Sequence, residues 1–201
     1  MVSYEGQSLS TREGHIVYLE DLLNQAVDKA AGIIEEKSPN LENKTEIARD
    51  IGIGAVVFFA LFNGRIKDID FTWDKALNFD GETGPYVMYT HARCASVLRK
   101  AEGMAGEPDY SALTDPETQA VIKLIDAFPA TVQSAVDHSE PSYVTRFSCE
   151  LAKAMNKFYY ERRILDDDPG ARSARLNLTL AAKQTIASAL RLIGVKAPER
   201  M

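Results

Sequence analysis

The amino-acid sequence predicts an all-α protein, a helical bundle, on three observations. Apolar residues return at three- and four-residue steps through most of the chain. Proline and glycine stand at the ends of those stretches, and no segment alternates polar and apolar residues convincingly. At 201 residues, with 45% apolar and 26% charged side chains, the chain can bury a core without covalent staples.

Residues 1–18 are polar, with Gly6 and Gly14, and read as a loop with a short strand at His15–Tyr18. From Leu19 to Ile34 the residues Leu22, Leu23, Ala26, Ala30 and Ile33 continue one apolar stripe. Ser38-Pro39-Asn40 ends that helix. A second helix from Asn43 to Phe62 is polar at first and then apolar on most faces, with Asn63 or Gly64 suited to a left-handed cap. Arg65 to Gly84 is irregular and holds the only tryptophan, Trp73. Pro85 suits the first turn of a third helix reaching Ala105, because proline there gives up a hydrogen bond the helix cannot make. Thr114-Asp115-Pro116-Glu117 is a further helix start, with Val121, Ile122, Leu124, Ile125 and Phe128 as its stripe. Pro129 and Pro141 open two more helices, the latter carrying Val144, Phe147, Leu151, Met155 and Phe158. Asp166-Asp167-Asp168-Pro169-Gly170 is a loop, and a last helix from Arg172 to Ile193 stops at Gly194. Two packed lobes joined near Gly84 are expected.

Several function classes are excluded. The longest apolar stretch, Ile51 to Phe62, falls well short of the roughly 20 residues a membrane helix needs. Met1 leads into polar residues, so no secretory leader is read, and the cytoplasm is the expected compartment. Cys94 and Cys149 cannot build a disulfide framework and are read as small core residues. His15, His91 and His138 are far apart, and Cys-x-x-Cys and His-Glu-x-x-His are absent, so no metal site is expected. The net charge of −6 argues against a generally basic nucleic-acid binder. Its distribution says more: residues 1–83 carry 8 Lys/Arg against 15 Asp/Glu, whereas residues 142–201 carry 11 against 6. A local polyanion site and a solvated helix surface both produce that asymmetry.

The segment Gly81-Glu82-Thr83-Gly84-Pro85-Tyr86-Val87-Met88-Tyr89-Thr90-His91-Ala92-Arg93 resembles the pattern G-x-T-G-P-Y-x-x-Y-x-H-A-R of arginyl-tRNA synthetases. Asp70-Phe71-Thr72-Trp73-Asp74-Lys75-Ala76-Leu77, Asn156-Lys157-Phe158-Tyr159 and the ending from Leu192 to Met201 are similar to the same family. Ser10-Thr11-Arg12-Glu13-Gly14 followed by Leu19-Glu20-Asp21-Leu22-Leu23 resembles the region that closes the class I catalytic domain. The resemblance implies the C-terminal part of a class I arginine–tRNA ligase. Residues 1–36 would be the signature-loop segment and its helix, a remnant of the catalytic domain. Residues 37–83 would be a connecting helical region, and 84–201 the anticodon-binding bundle called DALR. H-x-G-H is absent, so the chain alone is expected not to arginylate tRNA.

The resemblance also assigns candidate sites. Ser8-Leu9-Ser10-Thr11-Arg12 stands where the family pattern resembles K-M-S-K-S, with both lysines replaced. Ser10, Thr11 and Arg12 could still meet ATP phosphates through hydroxyls and a fixed cation, whereas in the chain by itself an unoccupied, mobile loop is the expectation. Tyr86, Tyr89 and Arg93, spaced i, i+3, i+7, share one helix face. Spacing alone allows a core stripe, but an arginine rarely sits unpaired in a core, and the matching family positions touch the anticodon loop. Tyr159 and Arg163, read on a basic penultimate helix, match positions that face it too, and Met201 would pack against the loop beside Arg200. His91 is read as a hydrogen-bonded packing residue, and Asp166–Asp168 as a solvated turn in preference to a cation site. The implied partner is arginine tRNA, with no DNA or membrane partner and a monomer favoured. This chain itself takes no cofactor, while the parent enzyme uses ATP and Mg²⁺. The alternative is a helical protein-interaction module of the same fold without RNA binding.

Overall fold

The computed structural model describes residues 2–9, 16–104 and 106–201. Among them are seven α-helices and a small sheet. The sheet lies outside what the sequence predicts. β1 (Val2–Tyr4) turns through Glu5 and Gly6, both at positive φ, into β2 (Gln7–Ser8), and β1 also pairs in parallel with β3 (Ile69–Phe71). Strands of two and three residues are too short to show an alternation. The strand expected at His15–Tyr18 is absent from residues 16–18, and His15 is outside the described residues.

α1 (Leu19–Lys37) buries Ala26, Ala30 and Ile34 and carries Glu20 and Asp21 in its first turn and Lys37 in its last, each favourable to the helix dipole. α2 (Lys44–Phe62) packs along it. The left-handed residue at an end of α2 is Asn43, before it, while Asn63 is extended. Asn63 closes α2 differently, its Nδ2 donating to the Phe59 carbonyl at 2.9 Å. The stretch read as irregular holds β3 and a short α3 (Trp73–Ala76).

α4 (Gly84–Lys100) starts as expected, with Pro85 in its first turn and the Thr83 hydroxyl accepting from the Tyr86 amide. It ends at Lys100, a turn sooner than expected, and the chain turns at Gly103 with φ of 81°. α5 (Pro116–Asp137) corrects the reading of Pro129: the helix runs straight through that residue. An interior proline removes a hydrogen bond and costs about 3 kcal/mol. Pro129 is exposed, where water can serve the freed carbonyl, and the apolar stripe on either side holds the helix on α6 (Ser142–Glu161). α7 (Pro169–Leu192) begins inside the predicted loop, capped by Asp168, and gives way to Gly194 at φ of 74°.

The segments on either side of Gly84 share a core. One core runs from Ile34, Ile51 and Phe58 through Met88, Leu151, Phe158, Ile186 and Leu190, and passes Gly84 without interruption. A smaller cluster of Ala26, Val56, Phe71 and Ala76 lies under the sheet, closed by Tyr4, Phe59 and Trp73. Cys94 and Cys149 are core residues, as read, and burial pushes both thiols up to about 12. Among the described residues no helix is long and apolar enough to cross a membrane.

The contact of α1 with α2 depends on Gly52. A Cβ there would stand 2.6 Å from the Ala26 carbonyl oxygen and 2.7 Å from the Val27 nitrogen, both backbone atoms that cannot swing aside. Gly52→Ala is therefore expected to destabilise the chain by about 1–3 kcal/mol, despite alanine's better helix propensity. Urea unfolding of the two proteins checks it.

Candidate nucleic-acid interface

The residues of α4 that face away from the core open onto a cleft. Val87, Met88, His91 and Ala95 point inward and are buried, which leaves Tyr89, Arg93, Ser96 and Lys100 on the outer side. On α6, Met155 and Phe158 are buried, so Tyr159 and Tyr160 at the end of that helix are pushed outward beside them. The chain after Gly194 returns across α4 and supplies Arg200 and Met201, and Leu41 closes the far side. The cleft holds about 610 Å³.

Arg93 is its centre. Its guanidinium carbon lies 4.7 Å from the Tyr89 ring centre, 5.0 Å from Tyr159 and 5.4 Å from Tyr160. It donates to Asn156 Oδ1, and Asn156 Nδ2 donates in turn to the Thr90 hydroxyl at 2.9 Å. No carboxylate pairs with Arg93 among the described residues. Burial works against its charge, but a hydrogen bond with Tyr89 and the electrostatic attraction of the Tyr89, Tyr160 and Tyr159 phenols outweigh burial and raise its pKa. Tyr89 and Tyr159 are each 39% exposed and Tyr160 72%, so three ring faces and one cation stay accessible to a ligand.

The surrounding charge has the same sign. Arg99 donates to a backbone carbonyl, that of Glu199, at 3.0 Å, and Lys100 makes no ion pair among the described residues. Arg200 faces Glu42 at 3.4 Å. The basic last third of the chain is otherwise largely neutralised. Arg162 pairs with Glu117 and Asp115, Arg175 with Asp166, Lys153 with Glu82, and Lys196 with Asp50. Among the described residues, Arg146, Arg172 and Arg191, outside the cleft, are not among the ion-paired cations, and within the cleft Arg93, Arg99 and Lys100 stand close together without an ion pair.

Of the residues picked out in the sequence, Tyr89, Arg93, Tyr159 and Met201 come together here. Tyr86 is half-buried against the core, near the Lys153–Glu82 pair. Arg163 lies beyond the end of α6, outside the cleft, and pairs with Asp167 at 2.8 Å. α6 itself is not strongly basic: it carries Arg146, Lys153 and Lys157 against Glu150 and Glu161. Ser10, Thr11 and Arg12 lie outside the described residues. The carboxylates of 166–168 have protein partners: Asp166 holds Arg175, Asp167 holds Arg163, and Asp168 caps α7. Sequence reading missed Tyr160, Asn156, Arg99 and Lys100. The available signal was Asn156-x-x-Tyr159-Tyr160, a polar residue inside an apolar stripe placed one turn before two aromatics.

Residues 87–201 match the family model described as the DALR anticodon binding domain. The chain belongs to that family. Ahead of the DALR segment, residues 1–73 match the model described as tRNA synthetases class I (R), catalytic domain. The arginine–tRNA ligase of Clostridioides difficile is 51% identical over 202 residues, covering 100% of this chain and 36% of its own length. That of Halothermothrix orenii is 50% identical with the same coverage. The chain thus spans about a third of the length of the curated relatives it matches. Among solved structures, the arginyl-tRNA synthetase of Thermus thermophilus superposes with a TM-score of 0.91 at 36% identity, over 100% of this chain and 34% of that one. The Plasmodium falciparum enzyme superposes at 0.77 and 21% identity over 92% of this chain and 34% of that one, a likeness of fold. The cleft of Tyr89, Arg93, Tyr159 and Met201 lies within the DALR segment.

The rear of the cleft rests on His91, 2% exposed, whose Nδ1 donates to the Pro198 carbonyl at 2.9 Å. Burial, the largest influence, lowers its pKa, and the Pro198 bond and Glu199 only partly offset this. The folded chain therefore holds this proton less firmly than the unfolded chain, whose imidazole titrates near 6.5. As pH falls through that value the unfolded state takes up protons first, so stability present above it is lost below it. Between about pH 7.5 and 5.5, the chain is expected to lose stability that His91→Asn does not lose, as thermal melting across that range would register.

Proposed function

We propose that the cleft receives the unpaired nucleotides of an arginine tRNA at its anticodon end. The chain would thereby supply the tRNA-holding part of an arginine–tRNA ligase that uses ATP and Mg²⁺, working in the cytoplasm as a monomer. In this reading Tyr89 and Tyr159 offer their ring faces to bases, and Arg93 adds a stacked cation between them. Met201 packs against the loop, and Tyr86 supports the face from the core side. Arg163 enters only as a peripheral phosphate contact. Ser10, Thr11 and Arg12 belong to the ATP side of the enzyme. Residues 1–36, 37–83 and 84–201 would divide the work as catalytic remnant, connector and anticodon-binding bundle.

The observation that carries the reading is Arg93 itself: a guanidinium held by three phenol rings and an amide, with no carboxylate to neutralise it. Single-stranded RNA is recognised by stacking splayed bases on aromatic and guanidinium planes, with cations tracking the phosphates. A protein partner could be met by the same rings, and its carboxylates by Arg99 and Lys100, so the two readings part on the choice of tRNA and the salt slope.

Fluorescence titration of the chain with arginine tRNA tests this. Affinity should fall with salt at a log–log slope of about −0.7 per phosphate contact, and unrelated tRNA should bind less well. A salt-insensitive complex or equal binding of unrelated tRNA would favour the protein-interaction module. Tyr89→Ala should cost about 1–3 kcal/mol of binding while the melting temperature stays nearly unchanged, since the ring is partly exposed. Asn156→Asp, which sets a carboxylate against Arg93, should weaken binding severalfold in the same titration.

A further inference from the structure

We infer that His91 is a positioning residue for the cleft: from inside the core it anchors Pro198, beside the Glu199 that Lys183 and Arg99 hold, and so sets Arg200 and Met201 as the cleft's wall. The inference rests on the tRNA reading above and extends it to a residue that touches no ligand.

The segment after Gly194 has no helix or strand to hold it. Fixing each of its residues costs about 1–2 kcal/mol of backbone entropy, so specific anchors must offset that. Val195, 3% exposed, is seated beside Gly54, and Lys196 pairs with Asp50 at 2.9 Å. Those two hold the start of the segment and leave its end free. The end is held by His91 at Pro198 together with Lys183 and Arg99 at Glu199. A carbonyl oxygen only accepts, so Nδ1 carries the proton toward Pro198, and Nε2 is left facing the Glu199 carboxylate at 3.8 Å. Nδ1 is thus the atom of this buried ring that holds the segment, at Pro198, and the unprotonated Nε2 adds no bond to Glu199. Lys183 completes the clasp with Glu199 at 2.7 Å. An apolar residue in place of His91 would fill the space between α4 and α7 and hold nothing.

The clasp and the cleft share an atom group. Arg99 lines the cleft and donates to the Glu199 carbonyl at 3.0 Å. Letting Glu199 go therefore releases a cation as well as Arg200 and Met201.

The test combines His91→Leu with removal of residues 199–201, both in the full 201-residue chain, and reads two quantities. Hydrogen exchange of the 195–201 amides should accelerate about tenfold or more in His91→Leu, with α4, α6 and α7 protected as before. Arginine tRNA affinity should weaken about fivefold to tenfold, the worth of one or two such hydrogen bonds. In the shortened chain the same substitution should change affinity no further, and His91→Asn, which can still donate to Pro198, should restore most of it. Should His91→Leu fail to fold, Glu199→Gln with Lys183→Met, at the outer side of the clasp, should give the same faster exchange and weaker binding. Unchanged exchange in the segment, or an equal loss of affinity in the shortened chain, would overturn the inference. Failure of the unaltered chain to bind arginine tRNA would instead overturn the functional reading and, with it, the role of the clasp in the cleft. The exchange data would then still report whether the clasp exists.

Discussion

Two positions of α2 that lack side chains, on different sides of the helix, govern how closely its neighbours can approach. Gly52 lets the backbone of α1 come into contact, and at Gly54 a Cβ would collide with the Met88 side chain and press on Val195 at 3.1 Å. Each absent methyl is therefore a place where another segment is seated. α1 occupies the first, and α4 together with the chain after Gly194 occupies the second. Glycine is a poor helix former, costing about 1 kcal/mol relative to alanine in a helix interior. Two of them in α2 survive because the helix is held mainly by its neighbours, with Ile51, Ala55 and Phe58 almost wholly buried around them. The same packing joins the segments on either side of Gly84 in one core. It also seats Met88 of α4 and Val195 of the final segment beside the same glycine.

Charge follows a complementary logic. The chain is acidic overall, and most of its late cations are matched by acids from other elements, as with Arg162 on the first turn of α5 and Lys153 on the approach to α4. Exposed pairs of this kind contribute little stability. Their effect is to cancel much of the late positive charge, while the outer side of α4 keeps its own. Arg93 escapes cancellation because its nearest polar neighbour is an amide. A carboxylate at Asn156 would bind the guanidinium in a fixed ion pair and remove its attraction for an anion. The amide orients it and leaves the charge in place.

The helices were legible because their cues are local. Thr83 with Pro85, Asp115 with Pro116, and Gly194 after an apolar stripe are start and stop signals that act within a turn of themselves. Pro129 shows where such reading ends. The same residue can open a helix or be tolerated within one, and only the packing of its flanks on α6 decides. β1 and β3 pair across more than sixty residues at three positions each, which leaves no local trace. The site divides in the same way. Tyr89 and Arg93 share a helix face and could be paired from spacing, whereas Tyr160 and Asn156 join them through the crossing of α4 with α6. Arg163 was misplaced because α6 ends just before it and the chain turns away.

The same accounting of partners constrains how bases can be told apart. Ring faces accept any base, so Tyr89, Tyr159 and Tyr160 supply adhesion without choice. Choice requires donors and acceptors directed at base edges. Asn156, the natural candidate, has Oδ1 occupied by Arg93 and Nδ2 by Thr90, and the Thr90 hydroxyl donates to the Tyr86 carbonyl. None of these groups can turn toward a ligand without undoing the others. What remains around the cleft is the hydroxyls of Ser96, Tyr159 and Tyr160, the unused N–H groups of Arg93 and Arg99, and the Lys100 ammonium, together with Arg200 once it leaves Glu42. Apart from the hydroxyls, all of these only donate. Discrimination by these cations favours bases that present acceptors at the stacked position. It depends on Arg93 being held at one angle, and therefore on the buried amide behind it.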